Sequence, residues 1–190
     1  NVFVLCYRTA QNGLLPKPTE DLAACIRTIL RNAEEWEVNT ANYAVGGFSA
    51  GGHLAASWDT DNEGYVKYQL PKPGVLFLSY AMFSLRELYE DQTADIIRHI
   101  MCGETYTEDD LRRVDILENM SENYPPVYIW QTREDEQVLY KNFEWMTTKL
   151  QSLAIPYRAK SVEHGPHGIG CGLHTEAEGW IQEAMDFWKE

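Results

Sequence analysis

Residues 43–56 read Tyr43-Ala44-Val45-Gly46-Gly47-Phe48-Ser49-Ala50-Gly51-Gly52-His53-Leu54-Ala55-Ala56. A short apolar run passes through a glycine-flanked serine and enters a string of small residues that suit a helix. Gly47 to Gly51 fit the pattern G-x-S-x-G, in which the serine occupies a sharp turn from strand to helix. The requirement is steric: the turn strains the serine backbone, and small residues two before and two after it let neighbouring backbone pass closely. The Ser49 hydroxyl then projects at the C-terminal edge of a sheet. The Ala50 amide lies at a helix N-terminus, where a developing oxyanion would be stabilised. The bland alternative is an ordinary serine in a tight glycine turn; the flanking strand and helix patterns favour a nucleophile.

On both sides of this turn, apolar strand-like runs alternate with helix-like segments. That alternation predicts an α/β fold with a mostly parallel sheet flanked by helices. Residues 2–7, 75–80, 127–130 and 157–162 read as strands beside residues 43–47. Apolar residues at Leu22, Ile26, Ile29, Leu30 and Ala33 predict a helix over 20–36 capped by Thr19. Further helices are predicted over 139–153 and 175–188. Residues 84–123 read as a polar helical excursion over one end of the sheet, broken at Cys102-Gly103. The 190 residues suit one domain with a single sizeable core.

A serine hydroxyl needs a base at neutral pH, and here the base is expected last in the chain, after an acid. His164-Gly165-Pro166-His167-Gly168 follows the last predicted strand. His167, between proline and glycine, is the first choice; His164 competes from the same loop, and His174 abuts the final helix. The acid is expected after the strand ending at Trp130, where Glu134, Asp135 and Glu136 sit in one loop. The partner must fix the imidazole tautomer from the strand's C-terminal end; Asp135 is preferred for its loop position and the apolar Val138 three residues on, and Glu134 is next. Trp58, Tyr80 and Phe83 are candidates for lining a substrate pocket, with burial in the core as the competing reading.

Lys and Arg total 16 against 29 Asp and Glu, giving a formal net charge of -13. That charge argues against nucleic acid or an anionic membrane as partner. Cys6, Cys25, Cys102 and Cys171 form no C-x-x-C pair, which speaks against a metal site or a dense disulfide framework. No apolar run approaches the roughly 18 residues of a transmembrane helix. The expectation is a cytoplasmic protein without metal or organic cofactor; secretion stays open, since any leader would precede Asn1.

Several segments resemble small bacterial carboxylesterases of the α/β-hydrolase superfamily, described as acetyl-xylan-esterase-like or feruloyl-esterase-like. They are Tyr7-Arg8 with Pro16-Lys17-Pro18 and Asp21-Leu22, residues 43–57, 64–68 and 70–74, Asn123-Tyr124-Pro125-Pro126, 164–170 and 175–180. They span the chain nearly end to end. The resemblance implies an α/β-hydrolase fold, a catalytic triad of Ser49, Asp135 and His167, and no cofactor. It also implies turnover of short-chain esters, acetyl above all, on carbohydrate. Relatives often carry His at the position of Gln131 and Pro at that of Leu139.

The family's His-Gly-Gly-Gly loop, which supplies a second oxyanion donor, would lie ahead of Asn1. By the same comparison, so would three strands and one helix. Loss of such a donor costs on the order of 10²–10³ in kcat. The expectation is therefore an incompletely represented chain, or one that pairs with another copy as a homo-oligomer. Two other readings remain open: an amidase or peptidase of the prolyl-oligopeptidase type using the same triad, and a degenerate, non-catalytic binding module.

Overall fold

A computed structural model describes residues 1–10, 13–85 and 92–190. Its sheet has four strands: β1 (Ala44–Phe48), β2 (Val75–Ser79), β3 (Val127–Thr132) and β4 (Tyr157–Val162). They lie in the order β1-β2-β3-β4, each parallel to its neighbour. Parallel neighbours need crossovers, and helices supply them. These are α1 (Lys17–Arg31), α2 (Ala50–Ser57), α3 (Tyr65–Tyr68), α4 (Gln92–Cys102), α5 (Glu108–Val114), α6 (Ile116–Asn119), α7 (Lys141–Ser152) and α8 (Trp180–Trp188).

Side chains alternate across a strand, and this alternation divides the core between the two sheet faces. Leu76, Leu78, Val127 and Ile129 point to one face, where they pack with residues of α1, α2 and α7 such as Ile26, Leu54, Phe143 and Met146. Phe77, Tyr128 and Trp130 point to the other, against Trp180 and Ala184 of α8. Both faces of β2 and β3 are covered, so these strands read as near-continuous apolar runs. The register pairs Phe48 with Ser79 and Ser79 with Trp130. Ser49, Tyr80, the loop after β3 and the loop after β4 therefore all leave from one edge of the sheet.

Four expectations are corrected. Residues 2–7 do not join the sheet; Val2 and Val4 are 89% and 86% exposed. An apolar run becomes a strand only by pairing its N–H and C=O groups with a neighbouring edge, and residues 2–7 pair with no strand among the described residues. The first helix begins at Lys17, ahead of Pro18, because first-turn amides have no intrahelical acceptor and a proline loses nothing there. Thr19 is accordingly inside α1, its hydroxyl donating to the Pro16 carbonyl at 2.7 Å instead of capping. That helix stops at Arg31, where the Asn32 side chain donates to the Thr28 carbonyl at 2.7 Å. The last helix starts at Trp180; residues 175–179 form turns that end at Gly179, with φ of 87°.

The excursion over 84–123 contains α4, α5 and α6; its residues 86–91 lie outside the described ones. The expected break holds, with α4 ending at Cys102 and Gly103 at φ 103°. The amides of Gly13, Leu14 and Leu15 donate to the carbonyls of His99, Ile100 and Met101 at 3.3, 2.8 and 3.1 Å. They satisfy the last-turn carbonyls that a helix leaves without partners. This contact sets Leu14 and Leu15 beside Ile100 and Met101.

Candidate active site

Ser49 sits between β1 and α2 with φ 52° and ψ −119°, a sparsely populated geometry for a residue with a side chain. The neighbouring glycines explain how the turn closes. A Cβ on Gly47 would stand 2.1 Å from the Gly51 carbonyl oxygen, and one on Gly52 would stand 2.5 Å from the Ala81 Cβ. Gly51 has no such crowding: a Cβ there would meet the Tyr7 hydroxyl at 3.9 Å. The close approaches thus fall two before and three after the serine, not two after as the motif suggested.

His167 bridges two partners far away in sequence. Its Nε2 lies 2.8 Å from Ser49 Oγ, and its Nδ1 lies 2.7 Å from Asp135 Oδ2. An ionised carboxylate can only accept, so Nδ1 carries the proton and Nε2 accepts the Ser49 hydroxyl. Asp135 is 2% exposed. Its Oδ1 accepts the amides of Gln137 and Val138 at 3.0 and 2.8 Å, which aims Oδ2 at the imidazole. Ala50 is the first residue of α2, so its N–H has no acceptor within the helix, and Ala50 lines the same cleft as Ser49.

The competing residues occupy other places. His164 is exposed, and its Nδ1 lies 3.0 Å from Glu134 Oε1. The Gly165 amide donates to Glu134 Oε2 at 3.1 Å. The carboxylate beside His164 pushes its pKa above 6.5, and the same pair holds Glu134 below its usual range. His174 is exposed, with its amide on Glu178 Oε2 at 2.9 Å.

Two residues that carried no assigned role support the site. Gln131 is 1% exposed, and its amide donates to the Val138 carbonyl and, at 3.4 Å, to Asp135 Oδ2. Its position four before Asp135, at the end of a buried strand, was the available sign. His53 is buried on α2, and its Nδ1 lies 3.0 Å from the Met82 carbonyl. Burial lowers its pKa, which favours a neutral ring donating from Nδ1.

Ser49 and His167 open into a cleft of about 1340 Å³. Leu54, Met82, Ile97, Ile100 and Met101 give it an apolar wall, and Arg133, Glu134 and Glu136 give it a charged rim. The three aromatic candidates do not line it. Trp58 and Phe83 are fully buried in the core beneath α1 and α2, with Trp58 stacked on Tyr68 at 5.7 Å. Tyr80 is 4% exposed and packs against the His167 ring. Core burial, the competing reading for all three, is where the structure puts them, since such rings gain most by leaving water entirely.

Among known proteins, the chain is 28% identical over 189 residues to endo-1,4-beta-xylanase B of Butyrivibrio fibrisolvens. The alignment takes in 95% of this chain but only 29% of that relative's length. An acetyl ester-xyloside bifunctional hydrolase from Caldicellulosiruptor lactoaceticus superposes with a TM-score of 0.76 at 23% identity. That match covers 95% of this chain and 66% of the other. A carboxylesterase from Lactobacillus plantarum superposes with a TM-score of 0.78 at 20% identity, covering 95% and 70%. The parallel sheet with its flanking helices is thus the α/β-hydrolase fold shared by these structures. The BD-FAE family model matches residues 1–150, and the chain belongs to that family.

Proposed function

We propose that the protein is a serine carboxylesterase that hydrolyses short-chain, chiefly acetyl, esters on carbohydrate. The observation that carries this reading is the unbroken hydrogen-bond chain Ser49–His167–Asp135 at the mouth of an open cleft. In this reading Ser49 Oγ attacks the ester carbonyl while Nε2 of His167 takes its proton. The Ala50 amide stabilises the oxyanion of the tetrahedral intermediate. His167 then protonates the departing alcohol, and water, activated by the same ring, releases the acid and frees Ser49. Asp135 remains ionised and stabilises the imidazolium that forms in each half-reaction.

The substrate class draws on the relatives, one described as an acetyl ester-xyloside hydrolase and one as a xylanase. The cleft is larger than the 300–1,000 Å³ typical of small-ligand pockets, which leaves room for a sugar as the alcohol part. The test is turnover of p-nitrophenyl acetate and of acetylated xylo-oligosaccharide, together with fluorophosphonate labelling. Wild-type protein should do both, and Ser49→Ala neither. Equal turnover by Ser49→Ala would remove the serine from the mechanism. Faster turnover of dipeptide anilides than of acetylated sugars would move the assignment to an amidase.

A further inference from the structure

We infer that Tyr80 is a positioning residue that holds the histidine loop, residues 163–170, in register with Ser49. The inference rests on the esterase reading above, and it concerns a residue outside the hydrogen-bond chain of the triad.

Tyr80 directly follows β2, and its own amide donates to the Trp130 carbonyl at 2.9 Å, so its backbone is fixed to the sheet. Its φ is 40°, a strained value for a residue with a Cβ. Strain of this kind persists only where the surroundings over-determine it, and here the ring is wedged on several sides. Trp130 meets it edge-on at 5.1 Å and Phe48 lies tilted at 5.7 Å.

From this fixed base Tyr80 reaches the loop twice. Its ring packs against the His167 imidazole at 4.9 Å with an interplanar angle of 73°, which restricts rotation of the base. Its hydroxyl oxygen accepts the Gly170 amide at 3.1 Å. The Gly170 carbonyl in turn accepts Nε1–H of Trp180 at 3.0 Å, so one glycine is gripped on both sides. At the other end of the loop the ties run through exposed groups, Glu134 to His164 and Gly165, Arg133 to Glu163, and the Glu163 amide to Glu176, and each is correspondingly weak. The part-buried grip on Gly170 acts together with the Asp135 bond to fix where His167 sits, and hence how its Nε2 meets Ser49.

The experiment compares Tyr80→Phe and Tyr80→Ala with wild type in the whole chain. Tyr80→Phe keeps the ring and removes only the acceptor. Its kcat on p-nitrophenyl acetate should fall about tenfold with KM changed by less than about twofold, because misplacing a catalytic group costs rate and not binding. Hydrogen exchange of the Gly170 amide should speed up by about tenfold or more, with β2 and β3 unchanged. Tyr80→Ala should lose roughly another tenfold in kcat, since the ring contact goes too.

Wild-type kcat together with unchanged Gly170 exchange in Tyr80→Phe would overturn the inference. Faster exchange throughout β2 and β3 would also overturn it, by making Tyr80 a general packing residue. If wild type fails to cleave the ester, the esterase reading falls alone. Gly170 exchange then still decides whether Tyr80 holds the loop.

Discussion

Glu134 and Asp135 are neighbours in the chain, yet they hold two different histidines of one loop. Asp135 Oδ2 meets His167 Nδ1 at 2.7 Å, while Glu134 Oε1 meets His164 Nδ1 at 3.0 Å. The Asp135 side chain is fully buried and that of Glu134 is 58% exposed. Of the two acid–histidine pairs that the sequence leaves in competition, the loop turns Asp135 and His167 inward and leaves Glu134 and His164 in water.

The buried pair gives the first prediction. Asp135→Asn keeps the shape of the loop but leaves His167 facing an amide. The ring can then present the wrong tautomer to Ser49. The kcat for ester hydrolysis should fall by about 10³–10⁴, with KM little altered. A loss below tenfold in steady-state assays would mean that Asp135 does not orient the base.

The exposed pair gives a pH signature. Glu134 raises the pKa of His164, so its contribution is full below the ordinary value of 6.5 and is lost as pH rises through the raised one. Glu134 itself is held low, so the carboxylate side of the pair fails only in acid. In Glu134→Gln, the His164 pKa read by NMR titration should drop back towards 6.5, and Gly165 amide exchange should quicken. An unmoved His164 titration would show that the two side chains do not meet in solution.

Gln131 is expected to matter for stability and rate together. Gln131→Leu leaves the part-buried Val138 carbonyl without its side-chain donor and removes a donor from the buried Asp135. Urea unfolding should show a loss of about 1–3 kcal/mol, the cost of a buried polar group left without its partner. Esterase kcat should also decline. Unchanged unfolding would place the Gln131 amide elsewhere.

The glycines around Ser49 should respond unequally. Gly52→Ala forces a Cβ to within 2.5 Å of the Ala81 Cβ and should destabilise the fold by about 1–3 kcal/mol. Gly51→Ala meets nothing closer than the Tyr7 hydroxyl at 3.9 Å and should be neutral or stabilise by up to about 1 kcal/mol. Paired thermal melts check the contrast; equal losses would show that α2 does not pack against Ala81 this closely.

The sequence alone determined the order of strands and helices around residues 43–56. Burial on both faces writes β2 and β3 as apolar runs, and a strand-to-helix turn writes itself in glycines. Chain order also narrowed the base and the acid to two short loops. Local pattern could not decide what depends on contacts between distant residues. Residues 2–7 look like a strand, but pairing needs a partner edge, and in the structure they have none among the described residues. Trp58 and Phe83 suit a pocket by composition, yet the packing of α1 and α2 on the sheet buries them. Tyr80 gained its place from Gly170, 90 residues away. Such contacts exist only after the β2 and β4 ends come to one edge of the sheet, so no window of sequence contains them.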